Sequence, residues 1–182
     1  MTMHEPRSES WHRIREGNTY HIQGKLALLD APGEWSLETG TLYLWPSPEQ
    51  NPSNLTVKVK RRIVGVDISG RTGVTIEGIK FFACGVSSNG STNGCQLNRI
   101  EARYVGHVSI LSSRFPAAAR GIELDGNGNT LRDSTVVYGS ANCVTLDGTN
   151  QTVTNSIIHD AGYSGTGAPI EVAPYSSGHT IA

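Results

Sequence analysis

The chain has 182 residues, room for one domain with a sizeable core, and a formal net charge of −1. That balance leaves no electrostatic footprint for nucleic acid or an anionic membrane, and no apolar run approaches the ~20 residues that span a bilayer. Glycine is abundant, at 21 residues against three Phe and two Met, which suits many tight turns around a core of Val, Ile and Leu.

Residues 1–18 read as a polar leader without the apolar core of a signal peptide, so the chain as written is expected to be cytoplasmic. Residues 19–60 form an N-terminal segment. Pro32-Gly33 marks a turn. Trp35 and Leu37 stand across Glu38-Thr39-Gly40 from Leu42, Leu44 and Trp45, which predicts a β-hairpin. Pro46, Pro48 and Pro52 mark the loop that follows. Leu55, Val57 and Val59 alternate with Thr56, Lys58 and Lys60, the pattern of a half-buried strand. The basic run at 58–62 is then a solvated strand face, not a nucleic-acid patch.

Residues 61–182 carry a repeat. Leu124, Asp125, Gly126, Thr130 and Ser134 recur 22 positions on as Leu146, Asp147, Gly148, Thr152 and Ser156. Short β-branched runs split by Gly and Asn at a fixed period predict a solenoid, and the spacing of a crossover helix is missing. An apolar-x-small/polar-x-x-apolar motif recurs as Ile76/Gly78/Phe81, Ile110/Ser112/Phe115, Leu131/Asp133/Val136 and Val153/Asn155/Ile158. The wide first gap marks either an inserted loop at 86–94 or an irregular coil using Leu97 and Ile100. Ile170-Glu171-Val172 and His179-Thr180-Ile181 begin a further coil, and the chain stops in mid-strand. The expected fold is all-β: a parallel β-helix of about five 22-residue coils, right-handed by the rule for parallel crossovers. The expected protein is the N-terminal portion of a longer one, whose uncapped edge invites a homodimer.

Three cysteines, Cys84, Cys95 and Cys143, show no CxxC spacing and so no zinc site. Cys84 and Cys95 flank a polar loop and read either as a bridge or as buried free thiols acting as small hydrophobes.

Strand alternation turns Ile122/Leu124, Val144/Leu146 and Ile170/Val172 inward, and stacks Glu123, Thr145 and Glu171 on the outer face. Glu123 and Glu171 lie two coils apart, about 9–10 Å. They read either as ordinary exposed carboxylates or as an acid–base pair with room for a water. His159-Asp160 leaves the last complete coil opposite Val137-Tyr138 and runs into Tyr163. A histidine beside a carboxylate can act as general base, and exposed Tyr138 and Tyr163 can contact a sugar ring. Arg132 projects beside Thr154 and can pair with a uronate carboxylate. Asp125 and Asp147 precede glycines and read as turn residues bonding backbone amides. Asp133 and Asn155 fall inward by register, as a polar ladder at the coil corner. The calcium-loop pattern of an EF-hand is incomplete at 125–129, and no metal site is expected.

The stretches LLDAPGEWSLETGTLYLWP (28–46), GVDISGRTGVTIEGIKF (65–81), GIELDGNGNTLRDSTV (121–136) and NSIIHDAGYSG (155–165) resemble bacterial right-handed parallel β-helix proteins of the pectin-lyase-like superfamily. The resemblance covers about 20–182 and is closest to glycoside hydrolases and polysaccharide lyases. It implies export to the periplasm or medium, a polysaccharide or oligosaccharide partner bound along an outer face, and further coils carrying catalytic acids. In a hydrolase, Glu123 and Glu171 would be acid and base. In a lyase, a base such as His159, with Asp160, would take the proton α to a uronate carboxylate, neutralised by calcium or an arginine; no other cofactor is implied. The alternative is a non-catalytic surface or spike-like binding module, or an inactive remnant, because one fold hosts many activities.

Overall fold

The computed structural model describes residues 25–106, 121–162 and 167–182. Two compact units divide the chain, Met1–Val59 and Lys60–Ala182. In the first, β1 (Trp35–Glu38) and β2 (Thr41–Leu44) pair antiparallel, Trp35 opposite Leu44 and Leu37 opposite Leu42. Thr39 and Gly40 take φ of 50° and 80°, the left-handed pair that a two-residue hairpin turn demands. The hairpin forms as the apolar pattern predicts. The expected strand over 55–59 does not: these residues join no sheet, and Val57 and Val59 are 51% and 70% exposed. Alternation shows which face a strand would bury, but it supplies no neighbouring edge to pair with.

The second unit is a parallel β-solenoid. Its first coil holds β3 (Val64–Asp67), β4 (Thr75–Glu77) and β5 (Lys80–Phe82). The second holds β6 (Gly85–Ser87), β7 (Gln96–Asn98) and β8 (Glu101–Arg103). The third holds β9 (Ile122–Leu124), β10 (Thr130–Arg132) and β11 (Thr135–Gly139). The fourth holds β12 (Val144–Leu146), β13 (Thr152–Thr154) and β14 (Ile157–Ala161). Two strands of a fifth follow, β15 (Ile170–Val172) and β16 (Thr180–Ile181). The first strand of every coil stacks into one parallel sheet, the second strands into another, and the third strands into a third. The 22-residue rhythm is visible as register: Ile122↔Val144 on the first sheet, Leu131↔Val153 on the second, Val136↔Ile158 on the third. Inward Leu97, Ile122, Leu124, Leu131, Val136, Val144 and Leu146 are buried to 1% exposure or less and form the core.

Leu97 occupies the rung between Ile76 and Leu131, so the second coil uses Leu97 and Ile100, and the stretch 86–94 is part of an ordinary coil. Ile110 and Phe115, expected to hold that rung, lie outside the described residues. The extra length falls between β8 and β9, and a shorter extension separates β14 from β15. Both leave the same corner, between a third strand and the next first strand.

The other corners are tight. Gly78, Arg99, Asp133 and Asn155, each two residues past an inward second-strand residue, have φ of 66°, 50°, 53° and 45°. One left-handed residue per coil turns the chain from the second sheet to the third. It also shifts the alternation by one position. Asp133 and Asn155 are therefore exposed, not inward, and bond each other from Asn155 Nδ2 to Asp133 Oδ1 at 2.6 Å. Ser134 takes the inward place: its Oγ donates to Arg132 O and accepts from Ile100 N. All three cysteines are free, with Cys95 and Cys143 buried and Cys84 half-buried. Burial pushes the Cys143 thiol up. Among the described residues no helix is long and apolar enough to cross a membrane.

Candidate functional site

The corner after each third strand repeats the left-handed device. Ala83, Tyr104, Tyr138 and Asp160 have φ of 57°, 57°, 59° and 54°. Ala83 and Tyr104 directly follow their strands, Tyr138 and Asp160 are next to last in theirs, and Tyr104, Tyr138 and Asp160 are exposed. Because the coils are in register, these side chains and those just before them form a column on the surface of the third sheet. Phe82 meets Tyr104 edge-on at 5.4 Å between ring centroids. Tyr104 stacks on Tyr138 at 5.1 Å with planes 22° apart, and Tyr138 meets His159 edge-on at 6.5 Å. Phe82, Tyr104 and Tyr138 keep 49%, 44% and 36% of their surface exposed. Four rings on four consecutive coils thus make one aromatic strip along the solenoid.

The strip ends in a charged pair. His159 Nδ1 lies 2.9 Å from Asp160 Oδ2, and both side chains are more than half exposed. This bond fixes the ring orientation and leaves Nε2 as the free face of the imidazole. Beside the strip, Glu101 accepts from Lys80 Nζ at 3.0 Å and from Arg103 Nε at 2.8 Å. The Lys80 ammonium, with Arg103 adding to it, holds the Glu101 carboxyl below its usual range. Of the expected site residues, Tyr138, His159 and Asp160 are brought together here. Tyr163 lies outside the described residues.

Glu123, Thr145 and Glu171 do stack in register on the first sheet. They are not an open ladder, however. Glu123 is 5% exposed and Thr145 fully buried, while Glu171 is exposed. Glu123 Oε2 lies 3.4 Å from both Ser87 Oγ and Ser88 N. Glu171 accepts from Asn142 Nδ2 and lies 3.4 Å from Thr145 Oγ1. Asn142 Oδ1 in turn accepts from Ala168 N at 2.9 Å, tying the β14–β15 connection to the ladder. Arg132 stands apart on the second sheet, beside Thr154, and its Nε donates to Asn98 Oδ1 at 3.0 Å. Asp147 acts as the turn residue expected, accepting from Gly148 N at 2.8 Å. Asp125 instead contributes backbone: its N–H donates to Ser88 Oγ and its C=O accepts from Asn129 Nδ2. Among the described residues no group of three or more His, Cys, Asp or Glu could hold a metal ion.

Phe82 and Tyr104 were not among the expected site residues. The signal for them was present: with Leu97 on the second-coil rung, Tyr104 falls in the same place as Tyr138. Placing that coil on Ile110 hid it. Comparison of the chain with protein-family models, with curated proteins and with solved structures returns no match.

Proposed function

We propose that this chain is the polysaccharide-binding part of a carbohydrate-active β-helix protein of the pectin-lyase-like type. The observation that carries the reading is the exposed strip Phe82–Tyr104–Tyr138–His159, capped by Asp160. Ring edges and faces receive the C–H surfaces of a pyranose, and Tyr hydroxyls and the His159–Asp160 pair bond its hydroxyl groups. The strip follows the stacking direction of the coils, so a linear glycan lying along it meets a new ring at each coil. A glycan array followed by affinity electrophoresis tests the reading. The double variant Tyr104→Ala/Tyr138→Ala is expected to weaken binding about tenfold or more, with its circular dichroism unchanged. Equal binding by a correctly folded double variant rejects it.

For chemistry, Glu123 and Glu171 remain the pair for a hydrolase, and His159 with Asp160 the base for a lyase. A non-catalytic binding module is the second reading. It is favoured by the way both glutamates are engaged, Glu123 with Ser87 and Ser88 and Glu171 with Asn142 and Thr145. Reducing-sugar release and ultraviolet absorbance of unsaturated products separate the three. A Glu171→Gln variant that binds as well as the parent, from a parent without turnover, selects the binding module.

A further inference from the structure

An asparagine amide is most open to attack by the next backbone nitrogen when glycine follows, because glycine has no Cβ to obstruct the approach. The chain has three such steps, Asn89-Gly90, Asn93-Gly94 and Asn127-Gly128. All lie on turns that lead from the first sheet to the second, and all three asparagines are exposed. Exposure therefore does not distinguish them, but the attacking nitrogen does. Gly94 N donates to Asn127 O and Gly128 N donates to Thr149 O, each at 3.0 Å. These bonds join one coil to the next, so neither nitrogen can turn on its asparagine without breaking a contact between coils. Among the described residues Gly90 N donates to no group. Gly90 is exposed, and a Cβ there would meet nothing within 4 Å.

The carbonyl under attack is also prepared at Asn89. Its Oδ1 accepts from Ser91 N at 3.0 Å and from Gly70 N, in the coil before, at 2.9 Å. Thr92 Oγ1 lies 3.4 Å from the same oxygen, and Thr92 N closes the turn on Asn89 O at 2.8 Å. The side-chain oxygen is thus held between two fixed backbone N–H groups. Attack at Cγ develops negative charge on Oδ1, and donors already aimed at that atom stabilise it without reorganisation. Asn93 Oδ1 faces only Asn127 Nδ2, at 3.4 Å. Asn127 Oδ1 has two donors, Thr149 Oγ1 at 2.9 Å and Asn150 Nδ2 at 3.0 Å, but its Gly128 nitrogen is tied down. Asn89 alone of the three joins a free nucleophile to a polarised carbonyl.

We propose that Asn89 is a self-modification site, at which the fold directs an intramolecular deamidation. Gly90 N bonds to Asn89 Cγ, the Cγ–Nδ2 bond breaks, and ammonia leaves carrying the Gly90 amide proton. The product is a five-membered cyclic imide. Water adds to one of its two carbonyls and opens the ring to aspartate or isoaspartate at position 89. Either product places a new carboxylate in the turn. Isoaspartate also routes the main chain through Cβ and Cγ, which breaks the tie between this turn and Gly70 of the first coil. The reaction is independent of glycan binding.

Ageing the whole folded chain in neutral buffer made with heavy-oxygen water, followed by peptide mass spectrometry, tests the proposal. Heavy oxygen marks conversion during ageing and excludes conversion during handling. Asn89 and Asn93 share the tryptic peptide 81–99, so fragmentation within it assigns the label. Asn89 is expected to convert about tenfold or more faster than Asn93 and Asn127, the factor that one retained hydrogen bond at each of their glycines supplies. In concentrated urea the three are expected to convert at similar rates. Gly90→Val places a branched side chain beside the attacking nitrogen in open space, and is expected to slow Asn89 about tenfold or more with circular dichroism unchanged. If that variant does not fold, the rates of the parent in buffer and in urea decide. Similar rates at the three sites in the folded chain, conversion of Asn89 only in urea, or an unchanged rate in a folded Gly90→Val overturns the proposal.

Discussion

At the scale of single residues, the solenoid depends on where the backbone turns left-handed and how closely neighbouring coils approach there. Gly128 and Gly148 have φ of 65° and 73°, so at both positions a side chain is strained. They differ in space. A Cβ on Gly128 meets nothing within 4 Å, whereas one on Gly148 would lie 2.2 Å from Gly126 O and 2.9 Å from Gly126 N, backbone of the coil beneath. Gly128→Ala is expected to cost only the left-handed penalty, about 1–2 kcal/mol. Gly148→Ala should cost about 3 kcal/mol or more, since strain at a special backbone position adds to the clash. Urea denaturation of the two variants checks this; equal losses would mean that coil spacing yields easily at the first-sheet corner. The non-glycine corners Asp133 and Asn155 show the other solution, short polar side chains that tolerate the conformation and bond each other across the coils.

Between elements, what counts is the repeat of one side-chain type from coil to coil. The aromatic strip is such a repeat, and it has a structural role whether or not a glycan binds. Tyr104 and Tyr138 stack between the ends of β8 and β11. A double-mutant cycle on their alanine variants is expected to yield a coupling of about 0.5–1.5 kcal/mol in stability. Coupling near zero would mean that the rings are held by their own corners and do not support each other. This stability measurement also keeps the glycan assay interpretable, because it reports how much of any binding loss comes from the scaffold. The strip was only partly legible in the chain. Tyr138 and His159-Asp160 follow from the clean 22-residue repeat. Phe82 and Tyr104 belong to coils where the repeat is interrupted, and aromatic spacing means little until the intervening coil is counted correctly.

For the whole solenoid, each coil is supported mainly by its neighbours, so the same substitution should matter differently along the axis. Leu131 is fully buried between Leu97 below and Val153 above. Val172 sits in the same inward phase on β15 but is 51% exposed. Leu131→Ala is expected to cost about 2–5 kcal/mol, and Val172→Ala less than about 1 kcal/mol, because its methyls already meet water. Thermal or urea unfolding distinguishes these; a Val172→Ala loss as large as that of Leu131→Ala would mean that the fifth coil is covered.

Read alone, the amino-acid order determined the architecture. A 22-residue period of β-branched runs admits one economical arrangement, strands stacked in register, and that periodicity is local information. The same period placed Glu123 over Thr145 and Glu171 and set His159 beside Tyr138. What it could not convey was which outward positions stay open to water. Glu123 alternates like an exposed residue yet is buried, and Val59 alternates like a half-buried one yet is exposed. Exposure depends on what lies over a face, and those neighbours come from distant parts of the chain. The corners were decided by the tertiary structure for a related reason. A left-handed residue shifts the alternation by one, and nothing in the identity of Arg99 or Tyr104 announces it until the coils are stacked and each corner must satisfy the backbone of the one before.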